Sequence, residues 1–281
     1  MRILYFLVIG SLCFMSCYTP RYMYSPAAQN VPVLVKKGDS KVAAYFSSNL
    51  SQKDNANNRT NESKSRGFDL QAAYAISNYF AIQANYFKRT ESNNGYTVNG
   101  NLDISFIRYK RQLAEIGIGY FKSLNKNNRV IFQVFGGVGK GKFSFTDNGK
   151  TSNDIDYSRT HQAGVTKLYI QPAFMFRSKG NFAASLSTRF SFIKFGNIKT
   201  DYTQDELFHY NLDDLTYGFR SFYEPAFTNT FGFKQLPGIQ FEYQITIAVL
   251  LSRRFIDHRA FNFSLAIVLD LQKLLRPKTG N

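Results

Sequence analysis

Cys17 is the side chain whose chemistry is most clearly marked in this sequence. A single cation, Arg2, is followed by an apolar run from Ile3 to Phe14, then by small Ser16 and by Cys17. That order is a secretory signal ending at a cysteine, and cleavage before Cys17 would leave its thiol as a lipid acceptor at a new N-terminus. The apolar run falls well short of the roughly 20 residues that a membrane-crossing helix needs. Phe14 stands where a leucine is more usual, and Cys13 is a second thiol, preceded by the bulky Leu12. These are the only two cysteines, so a chain beginning at Cys17 is expected to have neither a disulfide nor a thiolate metal site.

Three other groups of residues suggest chemistry and are better read as structure. Gly136 to Phe143 (GGVGKGKF) spaces Gly136, Gly141 and Lys142 like a phosphate loop. Phe143 takes the place of the magnesium-binding hydroxyl and no helical pattern follows, so a glycine-rich strand is expected. His161, His209 and His258 fall in three separate connections without the spacing of a metal-binding helix. The stretch 201–214, DYTQDELFHYNLDD, is acidic in a basic protein. Its carboxylates Asp201, Asp205, Glu206, Asp213 and Asp214 are of the type that binds calcium, but a solvated acidic loop is the expected reading. Phe208, Leu212 and Leu215 predict a short amphipathic helix there. No metal, cofactor or catalytic residue is expected.

The elements that would position these residues are strands. The chain has 28 Phe, 18 Tyr and no Trp, a composition that suits many strands. Residues 18–40 contain Pro20, Pro26 and Pro32, lack periodicity, and read as an extended leader between a lipid and a folded domain. Beyond Lys41 the pattern has period two. In 239–251, Ile239, Phe241, Tyr243, Ile245, Ile247, Val249 and Leu251 alternate with Gln240, Glu242, Gln244 and Thr246. Ten such runs are predicted: 41–48, 67–76, 79–89, 112–122, 129–146, 164–177, 180–195, 219–234, 237–252 and 260–271. Connections alternate between long (49–66, 90–111, 147–163, 196–218) and short (77–78, 123–128, 178–179, 235–236), the rhythm of outer loops and periplasmic turns. Residues 102–109, LDISFIRY, are left in a loop, because a further strand would make the number odd.

The expected fold is therefore all-β, an antiparallel up-and-down barrel of about ten strands. Its expected divisions are a signal (1–16), a lipidated tether (17–40), the barrel (41–272) and a tail (273–281). Mid-strand polar positions are mostly Gln, Asn, Ser and Thr with a few charges: Asp69, Glu115, Arg189, Glu224 and Glu242. Sparse charges of both signs suit a narrow lumen in which they neutralise one another, with lysines kept to loops and strand ends. The apolar faces would then meet outer-membrane lipid. The alternative is a lipid-tethered, soluble-type barrel holding a small apolar ligand in a greasy interior. The formal net charge of +16 suits acidic lipid better than nucleic acid, since no basic helix or RNA-binding aromatic motif is present.

SCYTP at Ser16–Pro20, the hairpin GFDLQAAYAISNYFAIQANYF, AEIGIGYF at 114–121 and FYEP at 222–225 together resemble a family of outer-membrane β-barrel lipoproteins of Bacteroidota. The resemblance implies an outer-membrane barrel lipoprotein; the even strand number and the loop rhythm place both barrel ends on the periplasmic side, with a lipid on Cys17 expected in the inner leaflet. The resemblance supplies no catalytic residues. Asp213–Asp214 and Asp257–His258 faintly resemble the rim residues of omptin proteases, also ten-stranded barrels. The omptin pattern separates its aspartate and histidine by one residue, whereas Asp257 and His258 are adjacent and in a strand would point apart. A non-enzymatic barrel that is structural, or that binds an unidentified ligand through its outer loops, is the expected function.

Overall fold

The computed structural model describes residues 20–49, 52–56, 59–99, 101–150, 155–178, 181–233, 235–236 and 238–275. The expected signal, Cys17 and most of the tail lie outside them. The strands are β1 (Ser40–Ser48), β2 (Gln52–Ala56), β3 (Arg59–Ala75), β4 (Phe80–Asn99), β5 (Asn101–Ser123) and β6 (Val130–Lys150). They continue as β7 (Asp156–Arg177), β8 (Phe182–Thr200), β9 (Arg220–Gly232), β10 (Ile239–Ile247), β11 (Val249–Leu250) and β12 (Phe261–Leu269). Every pairing is antiparallel, in the order β1-β12-β10-β9-β8-β7-β6-β5-β4-β3, and β1 pairs with β3 to close the ring. Ten of the described strands thus form a closed barrel. β2 folds back on the far end of β3, and β11 resumes the line of β10 after Ala248 and pairs with β9.

The ten expected runs all fall on barrel strands, but β3 to β8 are longer than their alternation suggested. A tilted strand crosses a bilayer with about 9–11 residues, whereas β5 has 23. Residues 102–109 belong to β5 and not to a loop: Phe106 lies opposite Asn94 of β4 and Asn148 of β6. They lengthen an existing strand and add none, so the even number stands. What reads as long loops is largely hairpin wall projecting beyond the membrane.

The two faces of the wall differ sharply. Ile116 is 65% exposed and Ile118 58%, whereas Glu115, next to Ile116, is 4% exposed. Leu70, Tyr74, Ile82, Leu168, Ile170, Leu265 and Ile267 also face outward. Gln71, Gln83, Gln171, Gln244 and Asn262 are buried on the inside. The interior is therefore polar and the exterior apolar, which overturns the alternative of a greasy cavity inside a soluble barrel. An apolar belt around a polar interior is the signature of a barrel that crosses a membrane.

The glycine-rich run is an ordinary part of β6. Gly117 and Gly137 lie opposite each other, and Gly137 lies opposite Tyr169 on β7. A Cβ on Gly137 would stand 2.3 Å from the Ile116 carbonyl oxygen and 2.6 Å from the Tyr169 ring. The glycines make room for the Tyr169 ring, whose hydroxyl accepts a hydrogen bond from Gln83 Nε2 at 2.8 Å. Gly137→Val should displace Tyr169 and the β5 backbone together, an overpacking cost of about 1–3 kcal/mol. The expected outcome is a lower temperature for loss of the compact, heat-modifiable gel band. Lys142→Val, a change of an outward side chain on the same strand, should leave that temperature nearly unchanged.

Candidate functional site

The interior of the barrel is occupied by the chain's own N-terminal segment. Arg21, Met23 to Pro32 and Leu34 are buried, and Pro20, Tyr22, Val33 and Val35 are half-buried. The leader expected outside the wall therefore runs through the lumen. Its direction is fixed by its contacts. The Pro20 carbonyl accepts from Tyr109 Oη, and Met23 and Tyr24 pack with Phe143, Phe222 and Ile256 toward the long connections. Leu34 packs with Ala75, Ala81, Phe121 and Phe135 toward the short turns. At that end Asp39 accepts from the Val35 and Lys36 N–H groups, Gly38 takes a positive φ of 89°, and β1 begins.

Near its start the segment pairs with the wall's main chain, the Met23 N–H donating to the Asp257 carbonyl at 2.8 Å and the Arg259 N–H to the Tyr24 carbonyl at 2.9 Å, and deeper in the lumen its main chain must be satisfied by side chains. Three wall glutamines do this in succession. Gln71 Nε2 donates to the Ala28 carbonyl at 3.0 Å, Gln244 Nε2 to the Gln29 carbonyl at 2.9 Å, and Gln171 Nε2 to the Asn30 carbonyl at 2.8 Å. Gln244 Oε1 also accepts from the Gln29 N–H, and Asp69 from the Ala28 N–H. Gln29 reaches the Glu224 carbonyl with its own amide and accepts from Ser187. Pro20, Pro26 and Pro32 have no N–H to satisfy, which lowers the demand on the wall.

Charge inside the barrel is balanced. Among the described residues the buried carboxylates are Asp69, Glu91, Glu115, Asp147, Glu224, Glu242 and Asp257. The buried cations are Arg21, Lys41, Arg89, Arg111, Lys167, Arg189 and Arg220, equal in number. Glu115 holds Lys167 at 3.1 Å and Arg189 at 3.5 Å. Glu242 holds Lys41 at 3.1 Å and accepts from Tyr45, while Glu224 accepts from Tyr24 of the segment and from Ser191. Glu91 pairs with Arg111 at 2.9 Å and Arg259 at 3.1 Å. Nearest the loop end, Asp147 binds both Arg21 and the Tyr202 hydroxyl. Burial pushes that hydroxyl's pKa up; Arg21 opposes the shift and Asp147 adds to it.

All five residues singled out for the polar face, Asp69, Glu115, Arg189, Glu224 and Glu242, lie inside. The lysines were expected outside, yet Lys41 and Lys167 are buried partners of Glu242 and Glu115. Their position was legible: Lys167 alternates in phase with Val165, Tyr169 and Gln171, which are all inward. At the turn end a cavity of about 370 Å³ opens between the segment and β1, β7 to β10 and β12, lined by Val35, Lys41, Arg177, Thr230, Gln240 and Glu242 among others.

At the loop end a six-residue helix, Gln204–His209, forms within the predicted stretch, with Thr203 and Glu206 making a reciprocal capping box, but it ends before Leu212 and Leu215 and buries none of its own residues, so the expected amphipathic face is not on it. Leu212 and Leu215 are buried and Phe208 is exposed. Asp201 accepts from the Thr160 N–H, Glu206 pairs with Arg159, and Asp214 pairs with Arg220 and Arg254. The histidines stay apart. His161 packs on Phe145, His209 on Tyr210, and His258 meets the carbonyls of Ala248 and Ile256. Among the described residues no three His, Cys, Asp or Glu side chains are grouped to hold a metal ion. Asp257 accepts from the Arg21 N–H, while Asp214 is engaged with Arg220 and Arg254.

The glutamine contacts give a direct test of how the segment is held. Gln244→Leu leaves the Gln29 N–H and carbonyl without that partner, at about 1–3 kcal/mol for each buried group. Hydrogen exchange should rise at residues 28–30 while the strand amides of β4 to β7 remain protected. Equal exposure of both would mean that the segment and the wall do not open separately.

No protein-family model matches the chain, and no curated protein matches it. Solved structures of similar shape are outer-membrane barrels. An outer-membrane channel from Pseudomonas putida F1 aligns over 86% of this chain and 99% of its own, at 9% identity and a TM-score of 0.40. The translocator domain of the autotransporter NalP from Neisseria meningitidis aligns over 83% and 87%, at 8% identity and 0.49. The outer membrane protease OmpT from Escherichia coli aligns over 83% and 93%, at 9% identity and 0.42. The chain itself has a closed antiparallel β-barrel fold with an apolar outer belt and a polar interior, the form of a membrane-crossing barrel.

Proposed function

We propose that this chain is a non-enzymatic outer-membrane barrel, closed by its own N-terminal segment, that is structural or binds a partner through its outer loops. One observation carries the reading: residues 20–35 fill the lumen, and their main chain is held by wall side chains from several strands. A barrel of ten strands has little interior space beyond its side chains, and the segment takes most of it, leaving the cavity at the turn end. The expected result in planar bilayers is a full-length protein without sustained conductance. Replacing residues 20–35 with a Gly-Ser stretch of equal length should produce steady current steps. Sustained conductance by the unaltered chain would favour a channel and sink the proposal.

A lipid on Cys17 is part of this reading, and the threading changes its place. Pro20 stands at the loop end, which faces outward in barrels whose short turns are periplasmic. Three extended residues reach at most about 11 Å, too little to return through a lumen that residues 20–35 span. The lipid would therefore enter the outer leaflet, where a tether outside the barrel would have put it in the inner one. Radiolabelled palmitate should be incorporated by the unaltered chain and not by Cys17→Ala. An epitope inserted just after Cys17 should be cleaved by protease added to intact cells; an epitope cleaved only after the outer membrane is opened would refute the outward placement.

A further inference from the structure

Six of the exposed cations are arranged on the barrel exterior in one band. On six successive strands, β3 to β8, the first outward polar residue beyond the apolar belt is Arg66, Lys88, Gln112, Lys140, Thr166 and Lys194. The apolar residues just inside them are Phe68, Tyr86, Ile116, Val138, Leu168 and Phe192, with small Ala114 between Gln112 and Ile116. The border moves by one side-chain row about every two strands, as a level boundary must on tilted strands. Lys110 and Lys142 stand one row further out on β5 and β6.

Neighbours in register show how the cations are set. Lys88 and Lys142 flank Gln112, Lys140 and Lys194 flank Thr166, and Arg66 and Lys110 flank Thr90. Each pair is two strands apart, about 10 Å, with a neutral hydrogen-bonding side chain between. All six cations are exposed. No Asp or Glu among the described residues shares these three rows. The buried charges balance inside the barrel, so this arc has no carboxylate of its own to neutralise it.

We infer that this arc binds the phosphate groups of the phosphorylated glycolipid of the outer leaflet. The inference rests on the membrane-spanning, loop-end-outward reading above. A row of cations directly beyond the apolar belt lies at the depth of lipid headgroups, and on the outward side the partner at that depth is the outer-leaflet lipid. Lysine and arginine meet phosphate by charge-assisted hydrogen bonds, and the intervening Gln112, Thr166 and Thr90 can bond sugar hydroxyls or phosphate oxygens. Each cation near a membrane surface contributes about a fivefold gain in binding, screened by salt.

The test uses the full chain in phosphatidylcholine nanodiscs titrated with diphosphoryl lipid A. Saturable binding is expected, weakened by 0.5 M salt. Lys88→Gln, Lys140→Gln and Lys194→Gln combined should weaken it roughly a hundredfold, while Lys122→Gln with Lys126→Gln at the turn end should leave it unchanged. Dephosphorylated lipid A should not compete. Undiminished binding by the triple variant, or equal competition by phosphatidylglycerol or dephosphorylated lipid A, would overturn the inference. Failure of the unaltered chain to enter nanodiscs as a heat-modifiable barrel would instead count against the membrane-spanning reading.

Discussion

A barrel in lipid turns the usual polarity inside out, and the rest of this structure follows from that inversion. Apolar side chains are stable outside, so every polar group of the inner face is confined to a narrow lumen. There an unpaired polar atom costs about 1–3 kcal/mol, and an unpaired charge more. Ten strands place Gln71, Gln171, Gln244, Glu115, Glu224 and Glu242 on that inner face. Residues 20–35 answer part of the requirement, bringing carbonyls to Gln71, Gln171 and Gln244, Tyr24 to Glu224 and Arg21 to Asp147, while Glu115 and Glu242 are met by Lys167, Arg189 and Lys41 of the wall. The segment and the wall are thus one hydrogen-bonded core, made polar where a soluble domain would be apolar.

The wall was legible because its physical cause is local. Alternation with period two records which side of a strand meets lipid, and the outward Ile116 and Ile118 and inward Glu115 follow it residue by residue. Legibility fades where the strands leave the membrane. At Arg108 the outward position faces water and no longer needs to be apolar, so Arg108 alternates with the inward Ile107 and Tyr109 in a pattern that does not read as membrane strand. The ends of β4 to β7 were misread as loop for the same reason.

The lumen segment was not legible, because nothing local causes its burial. Residues 20–35 have neither helical nor strand periodicity, and their prolines read equally well as an exposed tether. Their place is set by partners far away in sequence: Gln244 lies 215 residues from Gln29, and Asp257 lies 236 from Arg21. The charged partners were only partly legible. The acids and Arg189 stood out because charge is rare in mid-strand, whereas Lys41 and Lys167 were discounted as lysines although their phase with inward neighbours placed them inside. Parity along a strand was the better guide than residue type.

Charge bookkeeping follows the same inversion. The lumen excludes any large imbalance, because a surplus of either sign there would face low dielectric on all sides. Seven buried acids against seven buried cations meet that condition among the described residues. Among the described residues the surplus of positive charge must then reside on the outer surface and the connections. The apolar belt excludes it from the membrane's depth, and the projecting walls of β3 to β8 provide the nearest surface that does not. Neutral inside, apolar around the waist and cationic beyond it is the distribution that a basic sequence must take when its strands close around a polar core in lipid.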